Sequence, residues 1–329
     1  MPPVSRMRLC FLVVTRSWRG GAVGLLLCAA VALPPAEAQF RAKPRKPVAL
    51  TAAEAPRESP ELPAIRAMLF QAATLKNSYK ESEALAVYQE VLKASPSHYL
   101  ALWQAAVLSI RIGARYTDDT RKSAYFDLGR HYADQALGLR PEGGESNYAV
   151  ALAMFSQATL LRAGARLAAF RDLRSHVYLA TERRPDLAET WELRGRWQYR
   201  VAHYNLLERA YSKLILGGMP AGGDSREAIS CLEKARALAP QNLQFCYDLA
   251  RMCRYQGRRR RAIEELRAAA KITPLTSEDL VVSRLCRQML PPLLRADARR
   301  QARLGRPPLV ESPPADASRT LVDTLQKKP

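Results

Sequence analysis

The sequence predicts an all-α fold, a helical solenoid of about five helix pairs closed by a C-terminal capping helix. Three observations carry that expectation. Two helix ends share one grammar, Ala228-x3-Leu232-x2-Ala235-x4-Pro240 and Ala262-x3-Leu266-x2-Ala269-x4-Pro274, and their prolines stand 34 residues apart. A fixed period of that length marks helix pairs stacked one on the next. Ala, Leu and Arg, all strong helix formers, are frequent in the 329 residues. From Pro63 onward apolar residues recur at helical spacing.

The first 38 residues read as an export signal. Arg6, Arg8, Arg16 and Arg19 precede an apolar run, Gly20 to Leu33, and no acidic residue occurs before Glu37. Ala36-Glu37-Ala38 supplies the small-x-small pattern of a cleavage site, so the expected product is exported, periplasmic and cut after Ala38. The run of about 14 apolar residues is short of the roughly 20 that span a bilayer. A lipoprotein signal at Cys28 is disfavoured by the bulky Leu27 before it. An Arg-rich, acid-free start also suits a mitochondrial presequence or an uncleaved N-terminal anchor. Residues 39–62, with Lys43, Pro44, Arg45, Lys46, Pro47, Pro56 and Pro60, read as a flexible linker.

Residues 63–304 are assigned to the repeats. In the first unit Ala67, Leu69, Phe70, Ala73 and Leu75 form one stripe, and Ala84, Leu85, Val87, Tyr88, Val91 and Leu92 form another before Pro96. Counted back from Pro96, Ala84, Tyr88 and Val91 take the small, aromatic and small places of a tetratricopeptide repeat, where small residues let two helices approach closely. The second unit runs from Tyr99 to Pro141, with Gly129, Ala133 and Ala136 on its second helix. Its extra length falls between Arg111 and Thr120, where Gly113, Asp118 and Asp119 break the helical pattern. A degenerate third unit spans Ser146 to Pro185, marked by Val177 and Ala180.

The fourth unit, Ala188 to Pro240, is the long one. Its surplus, Val201 to Ser225, reads as a helical extension ending in the Gly- and Pro-containing turn Gly217–Gly223. The fifth, Leu243 to Pro274, is regular: Leu249, Ala250 and Cys253 point inward and Gly257 makes the turn. Thr276-Ser277-Glu278-Asp279 then offers a hydroxyl N-cap followed by acids in the first turn. Leu280, Val281, Leu285, Met289 and Leu290 are expected to shield the last repeat. Residues 305–329 are rich in Pro and read as a disordered tail.

The long unit also carries a family resemblance. Gly195-Arg196-Trp197-x-Tyr199-x-Val201-Ala202, Leu207-Glu208-Arg209 and Leu216-Gly217-x-Met219-Pro220 resemble the corresponding segments of the regulator of microtubule dynamics family. Gln198 and Met219 depart from the family's Cys-like and Pro positions, while Glu227-Ala228, Gly257 and Glu278-Asp279 match. The resemblance spans roughly Ile65 to Leu290 and implies a tetratricopeptide-repeat fold and a binding module. Eukaryotic members are associated with microtubules and in some cases with organelle membranes, which implies an alternative: an intracellular microtubule-associated protein anchored by Gly20–Leu33. Export would keep the chain from cytosolic tubulin.

No enzyme is indicated. His98, His131, His176 and His203 are dispersed, there is no Cys-x-x-Cys, and Gly217–Gly223 lacks the Gly-Lys-Ser/Thr ending of a phosphate loop. No metal and no cofactor is expected. Cys231, Cys246, Cys253 and Cys286 sit in apolar helical contexts and read as small core residues. Cys246 and Cys253 lie seven residues apart on one helix, about 10 Å along its axis, too far to bridge.

The candidate binding surface is the concave groove lined by the first helix of each pair. The register puts Glu192, Arg196, Tyr199 and Arg200 there from the fourth unit, and Tyr247, Arg251, Arg254 and Tyr255 from the fifth. Interleaved Arg and Tyr suit an acidic peptide or protein segment, although Tyr199 and Tyr255 also suit packing between helices. The net charge of +20 favours acidic partners in general, while Arg scattered singly along helices also describes a solvated basic surface. Arg258 to Arg261 form a basic turn that is either solvated or in peripheral contact with anionic membrane; nucleic acid is not expected.

Overall fold

Small residues where helices meet decide how this chain packs. The structure, a computed structural model, describes residues 63–305. In chain order the helices are α1 (Pro63–Asn77), α2 (Glu81–Ala94), α3 (Tyr99–Arg115), α4 (Asp119–Leu139), α5 (Gly144–Gln157), α6 (Ala163–Asp172) and α7 (Arg174–Arg183). There follow α8 (Ala188–Ala202), α9 (Leu206–Leu214), α10 (Ser225–Leu238), α11 (Leu243–Tyr255), α12 (Arg259–Ala270) and α13 (Ser277–Arg303). Among the described residues there is no strand. The signal at 1–38, the linker at 39–62 and the tail beyond Gly305 lie outside the described residues.

Five antiparallel pairs form the solenoid: α1 with α2, α3 with α4, α5 with α7, α8 with α10, and α11 with α12; α13 caps the last pair by lying on α11 and α12. The repeated small residues do what their spacing asks. Ala84, Ala133, Ala136, Ala228, Ala235, Ala262 and Ala269 are all fully buried, and Tyr88, Leu232 and Leu266 fill the gaps beside them. Gly195 shows why the motif needs no side chain there: a Cβ would stand 2.9 Å from the Ala228 carbonyl oxygen and 3.1 Å from Leu232 Cγ. At Gly257, φ is +72°, a left-handed turn conformation that glycine adopts without strain.

Several expectations shift. Gly113 does not break a helix; α3 runs through it, and a Cβ there would stand 2.7 Å from Tyr125 Cβ. The extra length of the second unit is longer helices, with Asp118 accepting from Arg121 N at 2.9 Å to start α4. The third unit opens at Gly144, and its second helix is split into α6 and α7 at Leu173, which is fully buried. The surplus of the fourth unit is a separate helix, α9, not an extension of α8; it packs on α6, so the two additions support each other.

Two apolar stripes are also rotated. In α1, Ile65 and Ala72 are buried with Met68, Leu69 and Leu75 beside them, whereas Ala67, Phe70 and Ala73 are exposed. In α13, Val282, Cys286, Met289 and Leu293 are buried at spacings of four, three and four, while Leu280, Val281 and Leu285 face out. Among the described residues α1 and α13 are the terminal helices and have helix neighbours on one side only, so each buries one narrow stripe there. The N-terminus of α13 carries the expected cap in full: Asp279 N donates to Thr276 Oγ1 at 3.0 Å and Thr276 N donates to Asp279 Oδ2 at 3.1 Å.

Candidate functional site

The first helices of the pairs, α1, α3, α5, α8 and α11, turn one face toward a line of charged side chains. Lys76 Nζ donates to Gln104 Oε1 at 3.0 Å. Arg111 on α3 reaches Glu81 at 3.6 Å and Glu189 at 3.5 Å, linking α2, α3 and α8. Arg115 pairs with Glu81 and with Glu278 at the start of α13, although 163 residues separate Arg115 from Glu278 in sequence. Farther along, Arg196 meets Glu192 at 3.0 Å and Arg251 meets Asp248 at 3.4 Å. Each arginine in this seam faces a carboxylate: Glu192 and Asp248 are buried, Glu81 and Glu189 half-buried and Glu278 exposed.

Burial makes those pairings matter. It works against the charge of Arg111, yet Tyr148, Glu189 and Glu81 together hold the guanidinium protonated above its usual range. Burial likewise pushes the Tyr148 hydroxyl well up, with Arg111 opposing. Lys76 is lowered, by burial first and by nearby Arg111 second. A half-buried charge of this kind is costly to strand, so removing one partner destabilises more than the pair itself stabilises.

The eight groove candidates separate into three groups. Glu192 is buried and committed to Arg196, whose guanidinium also lies 4.8 Å from the Phe155 ring centroid. Arg200 turns away from this face and pairs with Glu208 on α9. Tyr199 is half-buried, stacked on His203 with centroids 4.0 Å apart, and packs against the C-terminal core with Tyr247. Arg251, paired with Asp248, and Tyr255 both act electrostatically on Tyr199, whose hydroxyl is raised mainly by burial. Arg254 is exposed beside Tyr255, its guanidinium 5.9 Å from a ring that is 65% exposed. Tyr199, Arg251, Arg254 and Tyr255 thus make an accessible rim at the C-terminal ends of α8 and α11.

Sequence reasoning missed Glu81, Arg111, Arg115, Tyr148, Glu189, Asp248 and Glu278. One signal was present: Arg111 interrupts an otherwise apolar helix, and a charge inside such a run marks a buried partner. The motif residues in the long unit turn out to hold helices together. Trp197 is fully buried and its Nε1 donates to Phe170 O at 2.7 Å. Gln198, also buried, accepts from Cys231 Sγ at 3.4 Å and donates to Tyr178 Oη at 3.4 Å. Leu216 and Met219 pack against the central core, and Glu227 receives Arg194 at 2.8 Å.

The described cysteines are free and buried, and burial pushes the Cys231, Cys253 and Cys286 thiols up to about 11. Among the described residues no group of His, Cys, Asp and Glu is arranged to hold a metal ion. No helix among them is long and apolar enough to cross a membrane.

Residues 68–294 match the family model described as Regulator of microtubule dynamics protein 1-3. No curated protein sequence matches the chain. Among solved structures, the thermophilic tetratricopeptide-repeat protein TTC0263 of Thermus thermophilus is similar at 15% identity, over 68% of this chain and 100% of that one, with a TM-score of 0.50. MamA of Desulfovibrio magneticus RS-1 follows at 12% identity, 68% and 97% coverage and a TM-score of 0.36. YrrB, described as a tetratricopeptide-repeat protein with an unusual peptide-binding site, aligns at 16% identity, 66% and 90% coverage and a TM-score of 0.33. The likeness to TTC0263 is one of fold, and it agrees with the all-α tetratricopeptide-repeat solenoid expected from the 34-residue period.

Proposed function

The chain belongs to the Regulator of microtubule dynamics protein 1-3 family, and from that premise we propose that it is a non-enzymatic scaffold holding a protein or acidic peptide against the face of its first helices. The observation that carries this reading is the rim of Tyr199, Arg251, Arg254 and Tyr255. Along the seam the arginines are matched by carboxylates; at the rim no carboxylate among the described residues pairs with Arg254. An exposed guanidinium beside an exposed ring suits an acidic side chain, through charge-assisted hydrogen bonds and ring contact. The face is also preformed, since ion pairs across α2, α3, α8 and α13 fix it before any ligand arrives.

Reversing Arg196 and Arg251 is a poor test of this surface. Both lie against buried carboxylates, Glu192 and Asp248, so the reversal would disturb the fold as well. Arg254→Glu with Tyr255→Ala changes only exposed side chains. Fluorescence anisotropy with a panel of acidic peptides is expected to show binding by the wild-type chain and a loss of roughly tenfold or more in the double variant. Equal binding by both would remove the rim from the account.

Export is part of the same reading, because residues 1–38 carry the tripartite signal pattern. N-terminal sequencing of the native protein is expected to begin at Gln39. A retained Gly20–Leu33 segment would instead favour the anchored, microtubule-associated alternative.

A further inference from the structure

Helix α9 is built inside out. Its polar face turns inward: Glu208 and Ser212 are its buried residues, and Glu208 pairs with Arg200 on α8. Its apolar face turns to solvent, with Leu206 83%, Leu207 82%, Tyr211 38%, Leu214 82% and Ile215 64% exposed. At 100° per residue Leu206, Leu207, Tyr211 and Leu214 share one half of the helix, with Ile215 at its C-cap; Tyr211 reaches Gly164 on α6, while the leucines and Ile215 point to solvent. Single exposed apolar residues are ordinary; a contiguous apolar helical face is a place where something docks.

Several bonds hold the helix in that orientation. The capping box closes its first turn, with Glu208 N donating to Asn205 Oδ1 at 2.8 Å and Asn205 N donating to Glu208 Oε2 at 3.0 Å. Arg209 Nε donates to Tyr204 O at 2.9 Å. The chain that follows is held by Arg171, which donates to Leu216 O at 2.8 Å, and by Arg174, which donates to Ala221 O at 2.8 Å. Leu216 and Met219 anchor it in the central core. Rolling α9 over to hide its leucines would strand Glu208 and Arg200 and undo the box.

Charge says what fits the leucines. Exposed Arg209 and Lys213 flank them on α9 and Arg171 stands beside Leu216, while Arg166 and Arg200 lie on the inward side with Glu208. The acids there, Glu208 and Asp172, are already paired with Arg200 and Arg171. A second copy of this chain would set that basic border against itself. An anionic lipid surface complements it, and an apolar helical face rimmed by Lys and Arg with one Tyr is the pattern of a helix lying in a membrane interface. We propose that α9 docks the solenoid onto an anionic bilayer, inserting Leu206, Leu207, Leu214 and Ile215 among the acyl chains while the basic border meets the headgroups. This surface is separate from the rim of Arg254 and Tyr255, so one chain would hold a membrane and a protein segment together.

The test is co-sedimentation of the full chain with phosphatidylglycerol-containing vesicles and with pure phosphatidylcholine vesicles, comparing wild type with Leu207→Glu plus Leu214→Glu. Both sites are exposed, so unchanged circular dichroism is expected of the double variant. The wild type should bind the anionic vesicles, more weakly at high salt, and the double variant should lose roughly tenfold or more of that partition. A second variant, Leu214→Trp, should show blue-shifted emission and quenching by brominated lipid on vesicle addition. Equal sedimentation of wild type and double variant would place membrane binding elsewhere, for example in Gly20–Leu33, and overturn the proposal. So would a variant that loses only self-association in sedimentation velocity, which would assign the face to a second copy, or a Leu214→Trp emission that lipid does not change.

Discussion

Replacing Gly195 by Ala tests the packing of the long repeat against a control within the same protein. In a helix interior Ala is favoured over Gly by about 0.5–1 kcal/mol, because the unfolded chain loses less freedom. Gly138, exposed near the end of α4, has no atom within 4 Å of the place a Cβ would take, so Gly138→Ala should stabilise by that amount. At Gly195 the same methyl group would stand 2.9 Å from the Ala228 carbonyl oxygen, 3.1 Å from Leu232 Cγ and 3.4 Å from Cys231 Cβ. The carbonyl belongs to the backbone of α10 and cannot rotate away, so α8 and α10 must separate. Overpacking of this kind costs about 1–3 kcal/mol, which outweighs the propensity gain and leaves a net loss on the order of 1–2 kcal/mol. Urea unfolding read by tryptophan fluorescence, which Trp191 and Trp197 report from α8 itself, would show the midpoint falling for Gly195→Ala and rising for Gly138→Ala. Equal midpoints for the two variants would mean that α8 and α10 do not approach as described.

Other expectations follow from single groups. Ala262→Leu, at a fully buried position where α12 meets α11, should cost about 1–3 kcal/mol in urea unfolding. Glu208 is held below its ordinary value of 4.5 by Arg200 first and by the Asn205 backbone amide among further causes, with burial opposing. Its folded pKa is depressed, so its contribution is complete above that ordinary value and is lost as pH falls through the lower folded value; amide exchange in α9 should rise with acid, and less so in Glu208→Gln. The four buried thiols should be unreactive toward a thiol reagent at neutral pH and react together once urea unfolds the chain, since burial raises them.

Much of the fold was legible because helix packing writes itself into sequence. Ala228, Leu232 and Ala235 recur as Ala262, Leu266 and Ala269 for a steric reason, and the same grammar marked the pairs back to Ala84 and Tyr88. The split between α6 and α7 was not legible, because Leu173 is an ordinary apolar residue with neither Gly nor Pro beside it. At Gly113 the opposite happened: a residue that usually punctuates a helix is there to let α4 come close. The pairing of Arg200 was not legible, because its partner Glu208 sits on a helix that periodicity alone merged with α8. The seam was hidden for a further reason. Arg115 and Glu278 meet only because the whole solenoid lies between them, and no local pattern carries that information.

The scaffold reading is tested most directly by placing a photo-crosslinking residue at Tyr255 and, as a control, at exposed Leu139 on the last turn of α4. In cells producing the full chain, irradiation should give a discrete protein adduct from position 255 that is absent from position 139 and disappears when Arg254→Glu is added. The same adducts from both positions, or an adduct from 255 that survives Arg254→Glu, would contradict the account.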